Sequence, residues 1–200
     1  MHVHPDATTM LDYEGELTVL IGKDAKNVAE SDALSYVLGY TMGNDVSARN
    51  FQLPDVSGGQ FCYAKSFDTF APIGPAIITT HAIPDPHSLT YVTRVNGEQR
   101  QATPTSDLIW TIPQLIAHLS RGTMLKAGTL IMTGTPSGEL IYDIDSLDIV
   151  SDFQIGVGLF MEPKGFLHEN DVVEVELEGF GFIRNKIVFD KGSSLKLSHS

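Results

Sequence analysis

Cysteine is almost absent from this 200-residue chain: Cys62 stands alone, so no internal disulfide can form and a reducing compartment is expected. Basic residues are scarce too. Thirteen Lys and Arg against 25 Asp and Glu leave a formal charge of −12, which disfavours phosphate backbones and anionic bilayers, so neither nucleic acid nor membrane is an expected partner. No apolar run reaches the length of a membrane span and no charged-then-apolar leader is present, which makes a cytoplasmic location the expectation, or a mitochondrial one if an N-terminal segment is missing. There is no internal repeat. The hydrophobic content of 42% suits one globular domain over 1–200 with a sizeable core.

Against this acidic background the pair Glu14 and Glu16, in DYEGELTVLIG, is the most informative feature. Residues two apart on a strand project from one face, and Leu17, Val19 and Ile21 form the opposite, apolar face. Two carboxylates aimed together need a cation. A third acid, Asp45, follows in GNDVSARNFQ, and three hard oxygen ligands without nearby Cys or His suit Mg²⁺, Mn²⁺ or Ca²⁺ better than zinc. Spacing alone does not decide the matter, because a bare Glu-x-Glu more often hydrates an exposed strand face. DVVEVELEG provides the control: Val173, Val175 and Leu177 alternate with Glu174, Glu176 and Glu178, as in an ordinary half-buried strand with a solvated acidic edge.

The remaining pattern is α+β. A short amphipathic helix is predicted over Asp32 to Leu38, with Ser31 as cap and Gly39 as stop. Any helical turn between Asp45 and Pro54 would place Asp45, Arg49 and Gln52 on one face. Tyr91 to Val95, Asn96-Gly97 and Glu98 to Ala102 predict a hairpin with a type I′ turn. A helix from Thr111 to Arg121 carries Pro113 in its first turn and a stripe of Leu115, Ile116 and Leu119, with Gly122 as its end. A strand from Thr129 to Thr133 leads into Gly134-Thr135-Pro136, and a hairpin of Asp171 to Glu178 with Phe182 to Phe189 closes the sheet. The tail from Gly192 is expected to be loose. Of the seven histidines none announces itself as catalytic: His2 and His4 sit at a chain end where disorder is expected, His87 belongs to a turn, His118 falls on the polar side of the Pro113 helix, and His81, His168 and His199 have no supporting acid nearby in sequence.

DYEGELTVLIGK, the spacing Asp45-x-x-x-Arg49-x-x-Gln52, AKSFDTFAPIGP, the IPDPH turn and LIMTGTPSG occur in one order over Asp12 to Phe189. Together they resemble the fumarylacetoacetate hydrolase family. The resemblance implies a mixed β-roll or sandwich with peripheral helices, usually a homodimer, holding one Mg²⁺, Mn²⁺ or Ca²⁺ per subunit. It implies Glu14, Glu16 and Asp45 as metal ligands, Lys65 and Arg49 as catalytic groups, and Gln52, Gly134 and Thr135 as substrate-binding residues. Substrates of the family are small 2-oxo acids such as acylpyruvates, fumarylpyruvate, oxaloacetate and ring-opened aromatic diacids. Such an acid chelates a hard ion through carboxylate and keto oxygens, Lys65 would add positive charge where negative charge develops, and Thr135 would offer its hydroxyl and neighbouring amides to the substrate carboxylate.

The expected activity is therefore metal-dependent hydrolysis of a carbon–carbon bond in a 2-oxo acid. The alternatives are oxaloacetate decarboxylation, isomerisation of the 2-hydroxymuconate type, or a non-catalytic homologue or fragment. Each assigned side chain also has an ordinary alternative role. Arg49 can be a salt bridge holding Asp45, Lys65 a solvated surface lysine, and Thr135 a turn residue bonding its own backbone.

Two departures from the family pattern stand out. Only thirteen residues precede Glu14, which leaves no room for the usual upstream histidine-glutamate lid, so metal and oxo-acid binding with weak turnover is expected of this chain. After Gly138, excising Glu139 to Gly156 would restore TGTPSGVGLF; that stretch holds five acids and no bases, −5 of the −12. Either a retained in-frame intron or a genuine surface insertion over 139–155 accounts for it, since loops tolerate added length.

Overall fold

The chain opens on two short strands, β1 (His2–Val3) and β2 (Leu11–Asp12), before the Glu-x-Glu segment enters β3 (Gly15–Ile21). A 3-10 helix over Glu30–Tyr36 leads into β4 (Val37–Asn44) and the two-residue β5 (Ser47–Ala48). A helical turn, α1 (Pro54–Ser57), precedes β6 (Ile73–Thr79), the hairpin β7 (Thr90–Val95) and β8 (Glu98–Pro104), helix α2 (Ile112–Leu119) and β9 (Leu130–Met132). The last strands are β10 (Val172–Leu177), β11 (Gly181–Lys186) and β12 (Val188–Phe189). This computed structural model describes residues 1–136 and 156–192, so the expectations for 139–155 and for most of the tail lie outside the described residues.

Two antiparallel four-stranded sheets, ordered β6-β4-β3-β9 and β11-β10-β7-β8, make the mixed α+β sandwich. Their inner faces follow the period-2 rule: Leu17, Val19 and Ile21 of β3, with Tyr40 and Met42 of β4, join Tyr91 and Val95 of β7 and Val173, Val175 and Leu177 of β10 in one core. Gly15 stands where the two sheets approach closely, and a Cβ there would overlap the Thr93 hydroxyl. Among the described residues no helix is long and apolar enough to cross a membrane.

Several local expectations hold. Asn96 and Gly97 take φ of 53° and 84°, as a type I′ turn requires. The helix expected after Thr111 is α2, and the structure adds a capping box that the sequence reading did not name, between Thr111 and Gln114. The buried side of that helix is Ile112 and Ile116, while Leu119 is exposed.

Others do not hold. The helix expected from Asp32 to Leu38 is a 3-10 helix over Glu30–Tyr36, not an α-helix: its N-cap is Ala29, without a side-chain bond, and Ser31 bonds Asp32 instead. Gly39 lies inside β4 rather than ending a helix. The cause is pairing, since β4 lies against β3 from Gly15↔Asn44 to Ile21↔Val37 and against β6 on its other side, and those ladders outweigh a weak local helical pattern. The expected strand Phe182 to Phe189 breaks at the fully buried Ile187. His2 is not disordered; it belongs to β1, which pairs in parallel with β12 and ties the start of the chain to residues 188–189.

Candidate metal centre

Strand β3 begins immediately after Glu14, and the sheet that follows fixes where both acids point. Glu16 faces Gly43 across the ladder, so no side chain on β4 stands directly opposite its carboxylate. Asp45 arrives one residue beyond the end of β4, and its amide donates to the Glu14 carbonyl at 2.8 Å. Carboxylate oxygens of Glu14, Glu16 and Asp45 consequently lie within 4.8 Å of one another. Oxygens on opposite sides of Mg²⁺ stand about 4.2 Å apart, and about 4.8 Å around Ca²⁺. The trio therefore fits a hard divalent cation without rebuilding the backbone.

Charge supports the same assignment. Arg49 Nε donates to Asp12 Oδ2 at 2.8 Å, and its Nη2 lies 2.8 Å from Glu14 Oε1. Lys65 Nζ bridges Glu14 Oε2 at 2.6 Å and Asp45 Oδ2 at 2.5 Å. Four carboxyl groups thus face two cations, an excess of two negative charges when all are ionised. Glu16 is the member without a cationic partner among the described residues. Only 2% exposed, it accepts a hydrogen bond from the Gly134 amide at 2.9 Å. Burial pushes its carboxyl up to about 8; Asp45 and Glu14 push the same way, against the Gly134 bond and Lys65. Asp45 is also raised, chiefly by burial, with Lys65 opposing. Burial would lower Arg49 and Lys65, but the acids around each more than offset it and hold both above their ordinary values. A buried carboxylate crowded by two others and lacking a cation is the setting that a divalent ion would relieve.

All eight residues singled out in the sequence fall in one neighbourhood, though not by the expected routes. Asp45, Arg49 and Gln52 do not share a continuous helix: Ser47–Ala48 is a strand and Arg49–Phe51 a 3-10 turn. Arg49 does not bond Asp45. It binds Asp12 and Glu14, and its Nη1 donates to Gln52 Oε1 at 3.0 Å, so Gln52 packs against the guanidinium. Lys65 is half-buried and is the residue that holds Asp45, not a solvated lysine. Gly134 and Thr135 sit on the turn that touches Glu16 and Gly15. The Thr135 hydroxyl is already engaged, donating to the Gly15 carbonyl at 3.2 Å.

Two residues of the neighbourhood escaped the sequence reading. Asp12, fully buried, accepts from Arg49 Nε and from the amides of Tyr13, Gly158 and Leu159. Its signal was available, because Asp12, Glu14 and Glu16 share one period of two. Gln101, fully buried on β8, reaches across from the other sheet. A polar residue on the inward face of a predicted strand is the cue that could have found it. Among the described residues the histidines stand elsewhere: His2 bonds Asp190, His4 accepts from the Asp6 amide, and His87 accepts from the Ile112 amide at the start of α2. His168 does have a nearby acid, Asp171, at 3.7 Å on the surface.

The fold and site define a β-rich sandwich with three carboxylates grouped closely enough to hold a divalent cation. The family model described as the C-terminal part of fumarylacetoacetate (FAA) hydrolase matches residues 2–188, and the chain belongs to that family. It is 40% identical over 184 residues to oxaloacetate tautomerase YisK of Bacillus subtilis, covering 92% of this chain and 54% of that protein. Against the mitochondrial oxaloacetate tautomerase fahd2 of Xenopus laevis it is 39% identical, with 92% and 52% covered. The crystal structure of a 5-carboxymethyl-2-hydroxymuconate delta-isomerase from Mycobacterium smegmatis superimposes with a TM-score of 0.77 at 34% identity, covering 96% of this chain and 64% of that one. The chain spans about half the length of these curated relatives. Members of the family are enzymes.

Proposed function

We propose that this chain carries the metal centre of an enzyme that interconverts enol and keto forms of a small 2-oxo acid, with oxaloacetate as the first substrate to test. The observation that carries the reading is the cluster of Glu14, Glu16 and Asp45, in which Glu16 is buried without a cationic partner among the described residues, with Lys65 beside it. Relatives named as tautomerases and an isomerase, similar over more than nine-tenths of this chain, support the choice of reaction. A bound Mg²⁺ or Mn²⁺ would supply a Lewis acid for the carboxylate and keto oxygens of the substrate.

Lys65 is the candidate catalytic group, because its ammonium contacts two of the three ligand carboxylates and would stand beside the oxygen on which enolate charge develops. Arg49, buried and bound to Asp12, Glu14 and Gln52, acts in this reading by holding Glu14 and Gln52 in place. Gly134 and Thr135 form the wall for the substrate carboxylate. We assign the assembly as a homodimer, in the cytoplasm or, as for the Xenopus relative, the mitochondrion.

The family's name supports a second reaction at the same centre, hydrolytic carbon–carbon cleavage of an acylpyruvate or fumarylpyruvate. One experiment separates them. The purified chain with Mg²⁺ or Mn²⁺ is given oxaloacetate, acetylpyruvate and fumarylpyruvate; enol absorbance and product release are followed, with Glu16→Gln as the control. Accelerated enol–keto exchange that is lost in the variant supports tautomerisation. Cleavage of acetylpyruvate or fumarylpyruvate without that exchange transfers the assignment to hydrolysis. Release of CO₂ from oxaloacetate beyond the metal-only rate assigns decarboxylation. Metal uptake with no turnover of any substrate refutes the catalytic reading for this chain.

A further inference from the structure

Gln101 lies on the inward face of β8, in the sheet that contributes none of the three candidate ligands, yet every polar atom of its side chain is spent on the other sheet's site. Gly15 N donates to Gln101 Oε1 at 3.2 Å, while Gln101 Nε2 donates to Thr135 Oγ1 at 2.6 Å and to the Pro136 carbonyl at 3.3 Å. The orientation of the amide is dictated by its partners, because a backbone N–H can only donate and a proline carbonyl can only accept. That in turn orients Thr135. Its hydroxyl oxygen receives the Gln101 proton, so its own proton goes to the Gly15 carbonyl at 3.2 Å.

Both backbone polar groups of Gly15 are therefore held, one by Gln101 directly and one through Thr135. Gly15 is the residue between the candidate ligands Glu14 and Glu16. The same turn presents the Gly134 amide to Glu16. From this closed ring we propose that Gln101 is a positioning residue for the centre: it fixes the Glu14-Gly15-Glu16 backbone and the 134–136 turn relative to each other. A corollary, which rests on the functional reading above, is that Thr135 meets an oxo-carboxylate through its backbone amide. Its hydroxyl proton is committed, and the amide has no partner among the described residues.

The test uses Gln101→Met, which keeps length and volume, with Thr135→Val, Thr135→Ser and the Gln101→Met/Thr135→Val double variant. Two readouts need no turnover: exchange protection of the Gly15 amide in the metal-free protein, and Mn²⁺ affinity by calorimetry. Gln101→Met should speed Gly15 exchange at least roughly tenfold while the Val175 amide in the β10 core keeps its rate, and should weaken Mn²⁺ by about 10- to 100-fold, the usual cost of losing an outer partner of a metal ligand. Thr135→Val should weaken Mn²⁺ less, Thr135→Ser should stay at wild type, and the double variant should be no worse than Gln101→Met alone. Thr103→Val, two residues along the same inward face, controls for simple loss of stability. It should lower the melting temperature without moving Mn²⁺ affinity.

Gly15 exchange and Mn²⁺ affinity within twofold of wild type in Gln101→Met, or additive effects in the double variant, would overturn the proposal. Should those measurements come out as expected while oxaloacetate fails to bind to the Mn²⁺-loaded wild type, the positioning role stands and the functional reading falls.

Discussion

The segment that enters β3 and strand β10 carry the same Glu-x-Glu spacing and the same alternation of core residues, yet their acids meet opposite electrostatic surroundings. On β10, Glu174 lies opposite both Arg184 of β11 and Arg94 of β7. Arg184 bonds Glu174 at 2.5 Å and Arg94 bonds Glu176 at 2.6 Å, on a face open to water. At the start of β3, Glu16 lies opposite a glycine, is buried, and shares its space with two further acids. Cross-strand register, not the spacing along one strand, separates a neutralised surface from a cation cradle.

The largest expected effect breaks the comparison at Glu16. Glu16→Gln should abolish measurable Mn²⁺ binding, a loss beyond the roughly 10- to 100-fold typical of outer-sphere partners. Without metal the variant should melt no lower than wild type, since it replaces a buried carboxyl that has no cationic partner and keeps an oxygen for the Gly134 amide. The matching change on β10, Glu176→Gln, should leave Mn²⁺ affinity where it was. Equal effects at the two sites, read by titration calorimetry, would erase the distinction.

Lys65→Met comes next. Under the proposed chemistry it should lower turnover by about 10²- to 10³-fold, the range seen when a donor to developing negative charge is removed. Because Lys65 would compete with an ion for the Glu14 and Asp45 carboxylates, metal affinity should hold or rise. A loss of metal binding parallel to the loss of rate would instead make Lys65 part of the scaffold. The β10 counterpart of this test, Arg184→Met, should affect neither quantity.

Gly15→Ala tests the packing beneath the cradle. A methyl group at this position meets the Thr93 hydroxyl and Val175, so the sheets must part or β3 must shift. The expected cost is about 1–3 kcal/mol by chemical denaturation, with metal affinity falling alongside.

How much of this was legible from sequence depends on how far each partner lies along the chain. Glu14 and Glu16 declare themselves through a period of two, the helix after Thr111 through Pro113 in its first turn, and Asn96-Gly97 through turn stereochemistry, since all three rest on neighbours within a few residues. The strand from Val37 through Gly39 was hidden because its stabilisation comes from two ladders, and Ala33, Leu34, Val37 and Leu38 imitate a helical stripe. Arg49 was placed in the right neighbourhood but with the wrong acid, because the broken strand between Asp12 and Gly15 turns Asp12 toward it. Gln101 is 86 residues from Gly15 in sequence and reaches it only once the sheets stack. Spacing rules have no purchase at that distance.

The smallest effect sharpens the control strand. Arg94 and Glu176 each keep about a third of their side-chain surface in water, and in such a setting ion pairs contribute about 0–1 kcal/mol. A double-mutant cycle of Arg94→Met and Glu176→Gln should therefore give a coupling energy below about 1 kcal/mol that shrinks further in 1 M salt, where the screening length falls to about 3 Å. Arg184 stays bonded to Glu174 in both single variants, so Mn²⁺ should protect neither against unfolding. If Arg94→Met alone created a Mn²⁺ site at Glu174 and Glu176, the missing cross-strand cation would by itself suffice to make a Glu-x-Glu strand bind metal. The contribution of Asp45 and of burial to the β3 centre would then have to be revised downward.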